Sequence, residues 1–540
     1  MHKTFAYILL TSFCCQYLSF GDQLFIGIAE TDSFDKLELS IEAFARTARK
    51  PELKTIFRRK FAEITALPEI KGFDSDRRIR IIQTLDPQEP LSGVNPANIA
   101  ILPILDGGEK IEKMFAAAYK NSSYWRSEIN LYETPLTTNL YQTAATMKSG
   151  RFILVSRSKN ALLWISENKK LLNAAPLEQK GNIKLLLNAP RLGAILNAKL
   201  DPRWQEAFKV SDILQECETC SITVNIEAQS AALTIRATPF DGSPMMALIR
   251  NLKQPDQTLW ASVPKNSFLQ SISRCDNPEV FNRFAFDLRE YLIPALKEFH
   301  QNAALAGERV HYLAPSSDNK GLVFVRIDKI KEIATIQQQI AELDKLATDQ
   351  NMIWLEKETI EGANQPIRYK VKINENMRDD GNTTALQAVS TLFLRHAWLE
   401  MQITSNRLVS VLGHKGAAAN AVNAINSATP PQNLLQEIYV RNANIGAQPL
   451  TGTKVQASGL LSFLASIIPH VTREQITMLP QPGYGVTLGV QKPEENQFIA
   501  SLQISADEVA TLSEISKNYG ALIQKVLVSM LMKSIEKETN

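Results

Sequence analysis

Stretches from the first half of this chain recur in its second half, and the recurrence limits the possible architecture more than any other feature. Asp22-Gln23, Leu24 to Ile28 and Ser33-Phe34 can be laid on Asp256-Gln257, Leu259 to Val263 and Ser267-Phe268, with one extra residue at Thr258 that is recovered before Ser267. Ser149 through Ala161 lies likewise on Ser405 through Ala417, and Lys184 to Leu187 on Lys454 to Ala457. Each match reads as an apolar strand leading through a turn or short loop towards a helical pattern. Three such units in the same order point to two tandem, divergent repeats, 22–252 and 257–540. Pro239, Gly242, Pro244 and Pro255 punctuate the stretch between them as a linker should. One continuous two-lobed domain is the alternative. A length of 540 residues, too long for a single ordinary core, agrees with either.

Within a repeat the local signals are mixed. Ile99 to Leu105 is a near-continuous apolar run, suited to a strand covered on both faces. Asp106-Gly107-Gly108 then turns the chain into a helix with Ile111, Met114, Phe115 and Ala118 at helical spacing. Ile222 to Ala228 and Ala231 to Ala237 read as a hairpin closing near Gln229-Ser230. Hairpins interleaved with strand–helix steps predict an α+β fold with mainly antiparallel sheets packed by helices. The last segment opens on Ser505-Ala506-Asp507-Glu508, a capping-box sequence. Val509, Leu512, Ile515, Leu522, Val526 and Met530 then follow on one face of a long C-terminal helix, as core or as a partner or membrane-surface contact.

Residues 1–21 have the order of a secretory signal peptide. His2 and Lys3 precede an apolar stretch from Phe5 to Leu18, and Ser19-Phe20-Gly21 offers small residues for cleavage before Asp22. The expectation is an exported protein, periplasmic or extracellular, with no transmembrane span in the mature chain; the apolar run is shorter than the ~20 residues a spanning helix needs. A net charge of +3 with the basic residues spread along the chain disfavours nucleic acid as a partner. The densest basic run, Arg46 to Lys60, interleaves with Phe44, Ile56, Phe57 and Phe61 and is split by Pro51. It reads as a solvated face over an apolar seam, with contact to anionic lipid or glycan as the alternative.

Candidate chemistry is sparse. Of the five cysteines, Cys217, Cys220 and Cys275 remain in the mature chain. Cys217-Glu218-Thr219-Cys220 has redox spacing, but it precedes a strand and not a helix, so a local disulfide between Cys217 and Cys220, or two inert thiols, is expected. The six histidines are scattered singly, which leaves no metal site and no cofactor site to assign. Ser156-Arg157-Ser158-Lys159, Ser317-Asp318-Asn319 and Lys148-Ser149-Gly150 match the short motifs of penicillin-binding enzymes and serine β-lactamases, but their order along the chain is wrong for one acylated serine. Gly483, Gly485 and Gly489 fall on a strand pattern, where close backbone packing explains them better than a phosphate loop does. Asp379-Asp380-Gly381-Asn382 lacks the alternating ligands of a calcium loop.

The segment Gly150-Arg151-Phe152-Ile153-Leu154-Val155-Ser156 through Leu162 resembles one that recurs in exported bacterial proteins of unknown function, which also combine short apolar strands with following helices. That resemblance implies no activity and supplies no catalytic residues. With none assigned, the sequence points to a non-catalytic binding or scaffold protein of the bacterial envelope, holding a ligand or envelope protein in a groove between its repeats. An unrecognised extracytoplasmic hydrolase or thiol-redox enzyme is the alternative, and an envelope assembly subunit is a third reading.

Overall fold

The computed structural model describes residues 25–85, 96–125, 128–137, 140–172, 175–199, 210–255, 263–277, 279, 293, 296, 299–300, 305–317, 321–346, 353–358, 366–373, 397–427, 434–441, 449–467 and 481–517. The expected signal peptide, the Asp379–Asn382 turn and the distal stripe Leu522, Val526 and Met530 lie outside them. The chain divides into two compact units, Met1–Met245 with Asn496–Ile499, and Met246–Glu495 with Ala500–Asn540.

The described residues of the first unit form ten strands: β1 (Phe25–Thr31), β2 (Ile79–Leu85), β3 (Pro96–Pro103), β4 (Asn121–Trp125), β5 (Ile129–Thr137), β6 (Leu140–Ser149), β7 (Phe152–Ser156), β8 (Ile183–Leu187), β9 (Cys217–Ile226) and β10 (Ser230–Pro239). Every ladder is antiparallel, and the strands lie side by side in the order β4-β5-β6-β7-β3-β2-β1-β8-β9-β10. Helices α1 (Phe34–Thr47) and α2 (Glu52–Thr65) follow β1, α3 (Glu109–Ala118) follows β3, and α4 (Lys159–Glu167) and α5 (Lys169–Leu172) follow β7. Next come α6 (Ala189–Lys199) and α7 (Val210–Gln215), and α8 (Pro244–Asn251) carries the chain into the second unit. Both faces of the sheet are covered. Ile28, Ile82, Ile99, Ile101 and Leu154 pack with Ala161, Leu162 and Ile165 of α4. Phe34, Phe57, Phe61 and Phe73 form a separate aromatic cluster joining α1, α2 and the loop after α2. Double coverage explains why β3 reads as an unbroken apolar run: Ile99, Ala100, Ile101 and Leu102 are all buried. The strand ends at Pro103, and Leu105 is exposed.

The second unit contains β11 (Leu269–Arg274), β12 (Leu305–Pro315), β13 (Leu322–Ile330), β14 (Ile353–Glu358), β15 (Ile367–Ile373), β16 (Trp398–Thr404), β17 (Arg407–Gly413), β18 (Thr451–Val455), β19 (Val486–Glu494) and, from Ala500 on, β20 (Gln497–Ser505). Their order is β14-β15-β16-β17-β13-β12-β11-β18-β19, with every described ladder antiparallel, and β19 turns back into β20. Helices α9 (Ile333–Leu346), α10 (Ala417–Ser427), α11 (Leu434–Arg441), α12 (Ala457–Ile467) and α13 (506–517) complete the unit. Ile336, Ile340 and Leu343 of α9 cover one face of the sheet; α10 and α11 cover the other. The fold is therefore α+β with antiparallel sheet. No described helix is long and apolar enough to cross a membrane.

The local expectations meet the structure unevenly. The hairpin β9–β10 closes through Glu227 N donating to Ser230 O (2.9 Å), as its sequence suggested. Gly107 and Gly108 adopt φ of 70° and 84° ahead of α3, where a side chain would be strained. Pro244 opens α8, so the punctuated stretch holds a helix as well as turns. The first sequence match joins unlike elements: Ser33 caps α1, its hydroxyl oxygen accepting from Lys36 N (3.2 Å), whereas Ser267-Phe268 run into β11. The second match falls on the β6–β7 and β16–β17 hairpin turns, but one residue out of step. Gly150 (φ 58°) and Ser405 (φ 52°) hold the same left-handed turn position, where the sequence match set Ser149 against Ser405.

Candidate functional site

The strongest concentration of buried charge lies in the second unit, on the face of β12 and β13 that α9 shares. Alternating side chains of a strand point to one face, so Arg326 and Asp328 project together beside Phe324. Arg326 is fully buried; its Nε donates to Asp328 Oδ2 (2.5 Å), and Arg309 Nε donates to Asp328 Oδ1 (2.8 Å) from the neighbouring strand. Arg326 Nη1 lies 2.7 Å from His300 Nδ1. A guanidinium can only donate, so this contact uses the ring nitrogen's lone pair. Burial opposes ionisation of Asp328, but the Arg326 and Arg309 guanidiniums outweigh it and hold the carboxyl well below the usual carboxylate range. Glu308, also buried, faces Lys329 at 3.5 Å.

Two further buried glutamates anchor helix starts in the same unit. Glu400 Oε1 accepts from Arg368 Nε (2.6 Å) and Gly416 N (2.8 Å), and its Oε2 from Ala418 N (2.8 Å), so the carboxylate pins the first turn of α10 where the helix dipole favours negative charge. Glu508 Oε1 accepts from Ser458 N (2.8 Å) at the start of α12, and Oε2 from Ser458 Oγ (2.5 Å). Gly483 N donates to that hydroxyl in turn (3.0 Å). Burial pushes the Glu508 carboxyl up, with its hydrogen bonds to Ser458 opposing the shift. Among its described residues the first unit has one comparable pair: Arg80 Nε donates to Glu30 Oε1 (2.6 Å), Arg80 Nη1 to the carbonyls of Leu171 (3.1 Å) and Leu172 (3.3 Å), and Leu177 N donates to Glu30 Oε2 (2.9 Å). That pair fastens the chain after α4 across the sheet.

The residues singled out by sequence lie apart from these clusters. Cys217, Cys220 and Cys275 are buried thiols that belong to no disulfide. The expected Cys217–Cys220 disulfide is absent because both residues belong to strand β9. Three steps of extended chain separate Cα atoms by about 10 Å, whereas a bridge needs roughly 4.4–6.8 Å. Burial, with Cys220 and Glu216 adding to it, pushes the Cys217 thiol up to about 12, which leaves almost no thiolate at neutral pH. Ser156 is fully buried and its hydroxyl accepts from Ser158 N (3.1 Å), while Ser158 caps α4 through Ala161 N (3.2 Å). Lys148 pairs with Glu112 at 2.8 Å. The serine-lysine motif is thus a strand end and a helix cap. The basic run is neutralised from α1 and within α2: Lys54 pairs with Glu42 (2.7 Å), Arg58 with Glu38, and Lys60 with Glu63 (2.5 Å). The glycine run makes close approaches, a Cβ on Gly483 falling 2.4 Å from Glu508 Cα and one on Gly485 2.4 Å from Val455 O. Among the described residues no three His, Cys, Asp or Glu side chains are grouped to hold a metal.

Arg309, Arg326, Asp328 and Glu400 carry no motif in the sequence, and Glu508, readable there as a capping-box residue, turns its carboxylate to Ser458 instead. The signal available for the first three was charge at one parity inside apolar strands, as in Phe324-Val325-Arg326-Ile327-Asp328. Compared with protein-family models, curated proteins and solved structures, the chain matches none of them.

Proposed function

We propose that this protein is an exported, two-copy scaffold or binding protein of the bacterial envelope, and that it does not turn over a substrate. The observation carrying the two-copy reading is the common strand order. Exchanging β1 through β9 for β11 through β19 maps one pairing scheme onto the other. The registers agree as well. Asn188 N donates to Ile26 O (2.8 Å) just before α6, and Gln456 N donates to Phe268 O (2.7 Å) just before α12. Counting from those anchors, the row Leu186, Ile28, Ile82, Ile99, Ser156 corresponds to Lys454, Gln270, Tyr312, Val325, Val411. The anchors put β1 and β8 in step with β11 and β18, and the left-handed turn residues Gly150 and Ser405, equally spaced before Ser156 and Val411, do the same for β7 and β17.

Under this correspondence the charged cluster of the second copy occupies apolar positions of the first. Arg309, Arg326 and Asp328 stand where Ile79, Ala100 and Leu102 stand. The Arg80–Glu30 pair stands where Val310 and Ile272 stand. The copies have therefore diverged in what they bury while keeping one backbone plan. The non-catalytic reading rests on where the reactive side chains sit: the three thiols are buried, burial pushes those of Cys217 and Cys275 up, and the motif serines cap or end elements.

The reading is tested in two arms. Protein recovered from the extracytoplasmic fraction should begin at Asp22; recovery only inside the cell with Met1 intact would refute export. A gene-deleted host should be fully complemented by a variant in which Ser156, Ser458 and the three mature cysteines are alanine, with melting measured alongside. Loss of complementation in a folded variant would move the protein to the enzymes.

A further inference from the structure

Residues 481–485 form a strap that leads into β19 and belongs to no helix or strand. Side chains around the starts of α12 and α13 hold it. Thr511 Oγ1 donates to Gln481 O (3.1 Å), Gln456 Nε2 to Gly483 O (3.1 Å) and Ser505 Oγ to Gly485 O (3.4 Å). Tyr484 N donates to Asp507 Oδ2 (3.0 Å), and Gly483 N to Ser458 Oγ (3.0 Å). The backbone adds a long bond from Ser505 N to Gly485 O (3.4 Å).

The middle of the strap rests on Glu508. A Cβ at Gly483 would fall 2.7 Å from Glu508 Oε2, so only glycine lets the chain come this close. Glu508 and Ser458 are both fully buried. The 2.5 Å contact between Glu508 Oε2 and Ser458 Oγ holds one hydrogen, and either oxygen can carry it. Ionisation is the costly state of this carboxyl. Burial strips it of water and the Asp507 carboxylate repels it, while the hydrogen bonds from Ser458 and Ala457 recover only part of the loss. Among the described residues the surrounding charges do not cancel this. The α12 sequence has no ionisable side chain, and the strap's one titratable group is Tyr484. Lys454 of β18 sets its ammonium over the Tyr484 ring (4.1 Å) and pairs with Glu437 of α11 (3.0 Å).

We propose that the strap 481–485 is a proton-controlled latch, closed over α12 and α13 while Glu508 carries a proton and opening as Glu508 ionises. Opening readmits water to the carboxylate, whereas a protonated carboxyl gains far less from the same water. The latch is at full strength below the open-state value of about 4.3, and weakens as pH rises through the higher closed-state value. The inference rests on neither export nor the two-copy reading, because it uses only the second unit's own side chains.

Amide hydrogen exchange of the full mature chain, followed from roughly pH 4.5 to roughly pH 8, tests it at Ser458, Gly483 and Tyr484. After correction for intrinsic exchange, the opening constant at these amides should rise by up to about tenfold per pH unit between the two values, then level off. Ile327, inside β13, should stay unchanged. Glu508→Gln should remove the dependence, and Asp507→Asn should keep it but move it to lower pH, since one repelling carboxylate is gone. If Glu508→Gln does not fold, the wild type and Asp507→Asn still decide. Protection that is flat with pH in the wild type overturns the proposal, as does protection that rises with pH, which would mean that the helix start outweighs burial. A wild-type slope in Glu508→Gln assigns the proton elsewhere, and an equal change at Ile327 denies a local latch; either result also overturns it.

Discussion

Asp328 accepts from two guanidiniums in a site with little water to replace either. Removing one member of such a group leaves the others buried without compensation, a loss of about 3–5 kcal/mol. Asp328→Ala should therefore lower stability by that order in chemical denaturation; a loss under ~1 kcal/mol would mean the cluster is hydrated or rearranged. The sign with pH follows from the lowered carboxyl. Its contribution is present above the unfolded value of about 3.9 and is lost as pH falls through the still lower folded value. Glu508 runs the other way. Its folded carboxyl is raised, so the native state holds a proton more readily than the unfolded chain, and stability falls as pH rises through that window. Compared with Glu508→Gln, the wild type should gain stability as pH drops from neutral towards the unfolded value of about 4.3. A pH-independent difference between the two proteins would show that the carboxyl is not raised.

At the scale of elements, the reversals of the chain decide what the sequence could reveal. Gly107-Gly108, Pro51 and the Glu227–Ser230 turn were readable because glycine, proline and short polar stretches have local physical reasons to be where they are. Registers were not readable. A β ladder shifted by one residue keeps its apolar composition and changes only its partners, so Gly150 was matched to Asn406 when Ser405 shares its turn position. The choice between a Cys217–Cys220 disulfide and two inert thiols was open for a related reason: Cys-x-x-Cys spacing looks alike in a turn and in a strand, and only the β9 ladder separates them. Gly485 was legible as a close-packing position, and the structure supplies the cause in its φ of 102° and the approach of Val455 O. Gly485→Ala should cost more than about 2 kcal/mol, combining strain with displacement of backbone. Gly150→Ala, with φ of 58° and open space around it, should cost only about 1 kcal/mol. Equal losses at the two positions would remove the close-approach argument.

For the whole molecule, the alternation of strands and helices was enough to predict α+β and antiparallel sheet, because double coverage of a sheet writes itself into apolar runs such as Ile99 to Leu102. What stayed hidden was where each unit buries its charge, since a lone Arg in a strand reads the same whether its partner is a neighbouring strand or solvent. The two-copy reading turns this into a test at the level of the fold. If Arg309, Arg326 and Asp328 occupy positions that the plan also fills with Ile79, Ala100 and Leu102, the backbone does not need the cluster. Buried ion groups exchanged as a whole for apolar side chains of similar size are often neutral or stabilising by about 1–4 kcal/mol, whereas breaking one member is costly. The combined variant Arg309→Ile, Arg326→Met, Asp328→Leu, with methionine chosen to fill the arginine's volume, should therefore melt above Asp328→Ala despite carrying three changes. The lone-pair contact to His300 is lost in it, a penalty of roughly 1–3 kcal/mol that keeps the comparison from being trivially favourable. Strongly non-additive behaviour is the expected signature of groups acting as a unit. A triple variant that unfolds below the single one would mean that the second unit depends on its charges for its shape, and that the correspondence between the two sheets does not extend to what their side chains must do.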